Sequence, residues 1–223
     1  DVVKKDLIQA LRERGDIPPG ISTIITGAST ALEETRKQMG GNFLLAIFIA
    51  YLLMVAVLSH WGYPLVIMTT VPIGISGGLI GLWLLNALGN NLGLVGLNPV
   101  NQPFDVITML GFLILIGTVV NNPILIVERA TRNIEEKGMA ILQAVKEATR
   151  VRLRPVMMST ITTVFGLSPL VLLPGAGAEL YRGLGAIVLF GLLFSSLITL
   201  TILPVLLTLF FEVAQRFKKP TAV

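Results

Sequence analysis

The sequence predicts an all-α membrane protein in which five transmembrane helices follow a short α/β segment. Its 223 residues are 53% hydrophobic and 13% charged, and the mean hydropathy is +0.81, which is far from the balance of a soluble domain. A transmembrane helix needs about 20 mostly apolar residues, and five runs approach or exceed that length. The basic residues are concentrated in some of the connections between these runs and nearly absent from others. The predicted spans cover residues 39–58, 64–88, 105–128, 154–173 and 183–212.

The first 38 residues predict a small α/β segment ahead of the spans. Residues 1–15 have the pattern of an amphipathic helix that Gly15 ends, and Pro18-Pro19-Gly20 predicts a turn. The β-branched residues 21–26 predict one strand, and residues 29–38 predict a polar helix leading into the first span. One strand with short helices cannot bury a core. Residues 1–38 are therefore expected to be the end of a larger exported domain. The rest of that domain is expected to be encoded upstream.

The distribution of Lys and Arg predicts the orientation of the spans. Seven basic residues lie from Arg129 to Arg154, around the loop between the third and fourth spans, whereas residues 89–104 contain none. Basic residues accumulate in cytoplasmic loops, so this loop and the tail 216–223 are expected in the cytoplasm and the N-terminus in the periplasm. Within the same loop, residues 135–150 predict an amphipathic helix at the membrane surface. This sorting also accounts for the net charge of +4 without a nucleic-acid partner.

Four glycines in the second span lie at helical spacing. Gly74 with Gly78 and Gly77 with Gly81 form two overlapping pairs of small residues four positions apart. Such pairs allow the backbones of two membrane helices to approach closely. We therefore expect these glycines to pack a neighbouring helix rather than to take part in chemistry.

The third span contains the most polar sequence of any span, Asn121-Asn122-Pro123. Polar groups are costly in hydrocarbon, so two adjacent amides must find hydrogen bonds there. Pro123 has no backbone N–H for the carbonyl of Val119, which predicts a locally opened helix. On residue chemistry alone, a functional site and a kink whose amides hold neighbouring helices together are equally well supported.

Several classes of protein are excluded by what the spans lack. The chain has no cysteine, which excludes disulfides, thiolate metal sites and thiol nucleophiles. The spans also contain no His and no pair of carboxylates that could act as metal ligands or as a general base. We expect no enzyme activity, no metal and no cofactor.

The sequence from Gly117 to Glu128, GTVVNNPILIVE, resembles the tenth transmembrane helix of resistance-nodulation-division permeases. Further stretches resemble the same family in the same order. They are RLRPVMMST at residues 152–160 and GLSPL at 166–170 for the eleventh helix, PGAG at 174–177 for the following loop, LPV at 203–205 for the last helix, and IPPG at 17–20 with Gly27 and Glu33 for the end of the second periplasmic porter region. The order and spacing of these motifs cover essentially the whole chain.

The resemblance implies a hydrophobe/amphiphile efflux permease of the bacterial inner membrane that exchanges protons for drugs or other amphiphilic compounds. It also implies a homotrimer that docks to a periplasmic adaptor and an outer-membrane channel, with the N-terminal half of the permease supplying two aspartates to the proton site. Asn121 stands where the family has a lysine, Asn122 matches the neighbouring asparagine, and Ser159 matches a hydroxyl on the eleventh helix. Arg152 matches an arginine near the cytoplasmic entrance of the relay. An amide cannot change charge, so a lysine-free relay is expected.

One alternative remains open on the sequence alone. The chain could be a self-standing five-span scaffold or accessory subunit without transport activity of its own. A start codon close to Asp1 would favour that hypothesis. Seven further spans and two membrane-embedded aspartates encoded upstream would favour the permease.

Overall fold

The computed structural model describes the backbone of residues 28–92 and 101–218, together with Ala10 and Arg14. The chain divides into two compact units, Asp1–Gly40 and Gly41–Val223, and the second contains most of every span. Among the described residues the secondary structure is helical, without strands. The predicted strand at residues 21–26 lies outside the described ranges, and so does the first predicted helix apart from Ala10 and Arg14. The helices are α1 (Ala28–Leu58), α2 (Gly62–Met68), α3 (Thr70–Leu92), α4 (Val106–Val119), α5 (Asn121–Glu135), α6 (Ile141–Leu172) and α7 (Ala176–Lys218).

In the described part of the chain, five helical stretches are long and apolar enough to cross a membrane, which confirms the five predicted membrane helices. They are Gly40–Leu58, Gly62–Gly89, Val106–Glu135, Ile141–Leu172 and Gly177–Gln215. Two of these stretches are each built from two consecutive helices. The second is interrupted at Thr69, three residues before Pro72, and the third at Val120, three residues before Pro123. Proline removes one intrahelical hydrogen bond and crowds the preceding turn, which accounts for both interruptions.

The long helix α7 organises the bundle. It packs against α3, α4 and α6, and it also contacts α2 and α5. Its side chains Ile187, Leu203 and Leu207 are almost completely buried. Helix α1 lies at the edge of the bundle, where Met54 is buried against α2 and α3 while Leu44, Phe48 and Leu53 are exposed. Exposed leucine and phenylalanine on a span are expected of a surface that faces lipid rather than water.

The connection between α5 and α6 differs from the predicted helix over residues 135–150. Helix α5 ends at Glu135, and Gly138 adopts a left-handed conformation with φ of 61°. The backbone N–H of Met139 donates to the carbonyl of Asn133 at 3.3 Å, which closes the turn. Helix α6 then starts at Ile141 and continues through Pro155 to Leu172 as one helix of 32 residues. The arginines at 152 and 154 suggested a boundary in the sequence, but their charges do not interrupt the backbone hydrogen bonds of a helix.

Candidate functional site

The break between α4 and α5 opens the third span at its most polar point. Helix α4 ends at Val119 and α5 begins at Asn121, with Val120 between them. Pro123 has no N–H for the carbonyl of Val119, and the next amide, that of Ile124, donates to the carbonyl of Val120 at 3.2 Å. The predicted local opening is therefore present, and it places two asparagine side chains in the first turn of α5.

The two asparagines differ in exposure but share a lack of partners. Asn121 is exposed and Asn122 is half-buried. Neither side chain forms a hydrogen bond with any described residue. An amide has two N–H donors and one oxygen acceptor, so both groups remain available to a partner outside this part of the chain.

Exposed hydroxyls lie on α4, in the same span as the asparagines, and on α6. Thr118 in α4 and Ser159 and Thr162 in α6 are exposed. Each donates its hydrogen to a carbonyl of its own helix: Thr118 to Ile114 at 3.1 Å, Ser159 to Val156 at 3.0 Å and Thr162 to Met158 at 2.8 Å. The single hydrogen of each hydroxyl is therefore used within its own helix, while the lone pairs of the oxygen remain able to accept a hydrogen bond. Among the described contacts no hydrogen bond joins Ser159 to either asparagine.

A second group of hydroxyls is buried between α6 and α7. Thr160 Oγ1 and Ser196 Oγ lie 2.8 Å apart, and Thr160 also donates to the carbonyl of Val156 at 2.9 Å. One turn further along α7, Thr199 is fully buried, and its hydroxyl has no partner among the described residues. No local sequence pattern pairs these hydroxyls, because the pairing depends on how α6 rotates against α7.

Two arginines lie within the helices that follow the break, Arg129 in α5 and Arg152 in α6. Arg152 and Arg129 are both half-buried, and the Nε of each is enclosed without a hydrogen-bond partner in the described part of the chain. Sequence reasoning selected Arg152 but treated Arg129 only as one of the loop cations. The position of Arg129 one residue after Glu128, at the end of the apolar run, was the signal that could have identified it.

The four glycines of the second span lie along α7 and α4. A Cβ added at Gly81 would collide with the side chain of Phe190, and one at Gly77 with that of Phe194. At Gly78 the added atom would lie 3.1 Å from the backbone oxygen of Ile187. At Gly74 it would lie 2.9 Å from a methyl of Val119, on α4. These positions leave no room for a larger residue, so α3 approaches α7 closely along three of the glycines.

Two further polar contacts lie at the end of the bundle that contains residues 101–105. Asn86 Nδ2 donates to the carbonyl of Gln102 at 3.0 Å, and its Oδ1 accepts from the N–H of Gln102 at 2.8 Å. The buried Arg182 donates from Nη2 to the carbonyl of Leu173, the residue that ends α6, at 3.1 Å. Sequence reasoning missed both, because each joins residues that share no recognisable spacing.

Comparison with known proteins gives matches along nearly the whole chain. The model of the AcrB/AcrD/AcrF family matches residues 3–211. Multidrug resistance protein MdtC of Salmonella schwarzengrund (strain CVM19633) is 31% identical over 203 residues, which cover 91% of this chain and 18% of that protein. Multidrug resistance protein MdtC of Yersinia pseudotuberculosis serotype O:1b (strain IP 31758) is 31% identical over 211 residues, covering 95% of this chain and 19% of that protein. The chain thus spans less than one fifth of the length of these relatives.

Proposed function

Since this chain belongs to the AcrB/AcrD/AcrF family of resistance-nodulation-division permeases, we propose that it forms the second-half transmembrane bundle of a proton-driven efflux permease. The exported compounds would be drugs or other amphiphilic molecules. In this proposal the chain supplies one side of a proton site, and an N-terminal half of the same permease supplies the other. Secondary transporters with two repeats move one bundle against the other around a site at their interface.

The observation that carries the proposal is the exposed Asn121, which lies at a break in a span without any hydrogen-bond partner among the described residues. A polar side chain facing lipid at that depth would be costly, and such side chains almost always face a bundle interior or a cavity. Asn121 and Asn122 therefore need a partner helix that contributes polar groups. Two aspartates from the N-terminal half of such a permease would accept hydrogen bonds from both side-chain amides.

Each candidate side chain has a distinct role in the proposed relay. Asn121 and Asn122 donate to the carboxylates and hold their orientation, while Ser159 offers its remaining lone pairs to a protonated carboxyl or to water. Because neither amide titrates, the proton is carried by the carboxylates alone. The enclosed Nε of Arg152 lacks a partner in the described bundle, which suits a group that attracts anions or orders water at the cytoplasmic side. Gly74, Gly77, Gly78 and Gly81 keep α3 rigidly against its neighbours.

The proposed assembly is a homotrimer in the bacterial inner membrane, joined to a periplasmic adaptor and an outer-membrane channel. The N-terminus would be periplasmic and the C-terminus cytoplasmic. Exposed Lys137, in the turn after α5, and exposed Asn101, before α4, report on opposite ends of the bundle. In intact cells an impermeant thiol reagent should label a cysteine at position 101 and should not label one at position 137. The reverse result would contradict the orientation.

The proposal is tested by the coding sequence upstream and by transport. We expect an open frame that encodes seven further spans and two aspartates within the membrane. The complete permease in liposomes should export an amphiphilic dye when a proton gradient is applied, and a protonophore should stop the export. The 223-residue chain alone should transport nothing. Proton-dependent export by the chain alone would overturn the proposal.

A further inference from the structure

A groove runs between the first half of α6 and the last third of α7. Its volume is about 610 Å³. The lining positions recur at helical spacing on both walls, at residues 142, 145, 146, 149, 150 and 153 of α6 and at residues 200, 201, 204, 205, 208, 209 and 212 of α7. One continuous face of each helix therefore forms a wall. The wall on α7 is about 18 Å long at 1.5 Å per residue.

The walls of this groove are apolar. Leu142, Leu153, Val205 and Leu209 all expose large parts of their side chains. The three threonines of the walls donate their hydroxyl hydrogens to their own helices: Thr149 to Val145 at 2.9 Å, Thr201 to Leu197 at 2.9 Å and Thr208 to Pro204 at 2.8 Å. No hydroxyl hydrogen therefore remains free along the groove, so a hydrocarbon chain can lie in it without leaving a donor unsatisfied.

Two cations lie on the α6 wall of the groove, between Leu142 and Leu153. Lys146 and Arg150 are one turn apart on α6 and are exposed. Neither forms an ion pair with any described carboxylate, and the carboxylate of Glu212 across the groove does not approach them within 4.0 Å. The two cations outnumber the one carboxylate of the lining, so the groove carries a net positive charge. Long Lys and Arg side chains can lay their methylene stems on an apolar wall while their charged ends reach the interface.

We propose that this groove binds one anionic phospholipid, with its phosphate held between Lys146 and Arg150 and one acyl chain lying along the apolar walls. The charge of the two cations is complementary to a phosphate, and the apolar side chains on either side of them give an acyl chain a surface to lie on. A free phosphate ion would use the two cations but would leave the apolar walls empty. The inference is independent of the proposed transport activity.

The experiment is a lipid titration of the full 223-residue chain in mild detergent, followed by native mass spectrometry. Phosphatidylglycerol and phosphatidylcholine with identical acyl chains serve as probes. We expect the first phosphatidylglycerol to bind several-fold more tightly than phosphatidylcholine. Lys146→Ala and Arg150→Ala should each weaken phosphatidylglycerol binding about fivefold, from roughly 1 kcal/mol per basic residue near a lipid surface. Both residues are exposed, so neither substitution should disturb folding.

Matched variants separate the headgroup from the acyl chain. Lys137→Ala removes an exposed lysine outside the groove and should leave the binding of both lipids unchanged. Val205→Trp fills the groove and should weaken both lipids, whereas Val213→Trp, on the same helix but outside the lining, should weaken neither. If Val205→Trp reduces the yield of folded protein, Val205→Phe is the substitute.

Three results would overturn the inference. The first is equal affinity for the two lipids that is unaffected by the loss of Lys146 or Arg150. The second is unchanged phosphatidylglycerol binding in Val205→Trp, which would place the lipid elsewhere. The third is displacement of phosphatidylglycerol by millimolar inorganic phosphate, which would show that an ion rather than a lipid occupies the site.

Discussion

The hydroxyls of Thr160 on α6 and Ser196 on α7 meet at 2.8 Å, and both side chains are almost completely buried. Thr160 Oγ1 also lies 2.9 Å from the carbonyl oxygen of Val156, which belongs to the same helix. A hydroxyl has one hydrogen, so if Thr160 donates to Val156, Ser196 must donate to Thr160. The pair thus forms a short directed chain, Ser196 to Thr160 to Val156, that fixes the rotation of α6 against α7.

This chain predicts an energetic coupling between the two residues. Ser196→Ala removes a donor that spans the two helices, and Thr160→Val removes its acceptor. Hydrogen bonds between membrane helices contribute on average about 0.6 kcal/mol and at most about 1.7 kcal/mol, so we expect a coupling in that range. Reversible unfolding in detergent micelles of the two single variants and the double variant measures it. Thr162→Val, whose hydroxyl bonds only its own helix, should show no coupling with Ser196→Ala.

Gly81 in α3 and Gly166 in α6 are expected to respond in opposite ways to the same substitution. Gly81→Ala places a methyl group against the side chain of Phe190 and should destabilise the chain by about 1–3 kcal/mol, the usual range for overpacking. Gly166 in α6 has no atom near its added Cβ, so Gly166→Ala should stabilise its helix by about 0.5–1 kcal/mol. Measuring the unfolding free energy of each variant shows whether the first substitution destabilises the chain and the second stabilises it. Equal effects would mean that α3 and α7 are not in close contact at Gly81.

The hydrogen bonds between Asn86 and Gln102 are expected to stabilise the segment before α4. Its side chain both donates to and accepts from the backbone of Gln102, so Asn86→Ala should leave two backbone groups unsatisfied. We expect faster hydrogen exchange at the amide of Gln102 and a loss of about 1–3 kcal/mol in unfolding free energy. Asn101→Ala is the control, since exposed Asn101 forms no hydrogen bond with the described residues. Unchanged exchange at Gln102 in Asn86→Ala would contradict the contact.

Composition and hydropathy were sufficient to predict the five membrane helices, because the thickness of a bilayer fixes the length of an apolar run. Pro123 likewise predicted the opening at the asparagines, since the missing N–H is a local property. A helix was predicted over residues 135–150 and a separate span over 154–173, whereas α6 is one helix from Ile141 to Leu172, because the charged residues between 146 and 154 do not interrupt helical hydrogen bonding. The contacts of Arg182 with Leu173 and of Thr160 with Ser196 depend on helix rotation and packing, which no local pattern encodes.

The last prediction concerns Asn121 and Asn122, whose two interpretations differ in measurable ways. Neither side chain bonds a described residue, so in the 223-residue chain Asn121→Ala and Asn122→Ala should change the unfolding free energy by less than about 0.6 kcal/mol. In a complete permease the same Asn122→Ala should abolish proton-coupled export while expression and trimer assembly persist. That combination would separate a functional amide from one that only holds helices together. Dye export from liposomes, with trimer content measured on the same sample, tests it.

The substitution Asn121→Lys is a second test of whether the asparagines belong to the proposed proton relay. In the isolated chain the new ammonium would be unpaired in hydrocarbon and should raise the insertion free energy by about 2.5–3.5 kcal/mol, the scale for a charge at a helix centre. In the complete permease it would face two carboxylates, favour their charged forms and lower their pKa, because an opposite charge nearby stabilises the ionised group. The pH dependence of export should therefore shift to lower pH. An Asn122→Ala permease with unchanged export and an Asn121→Lys permease with an unchanged pH profile would together show that the pair is structural.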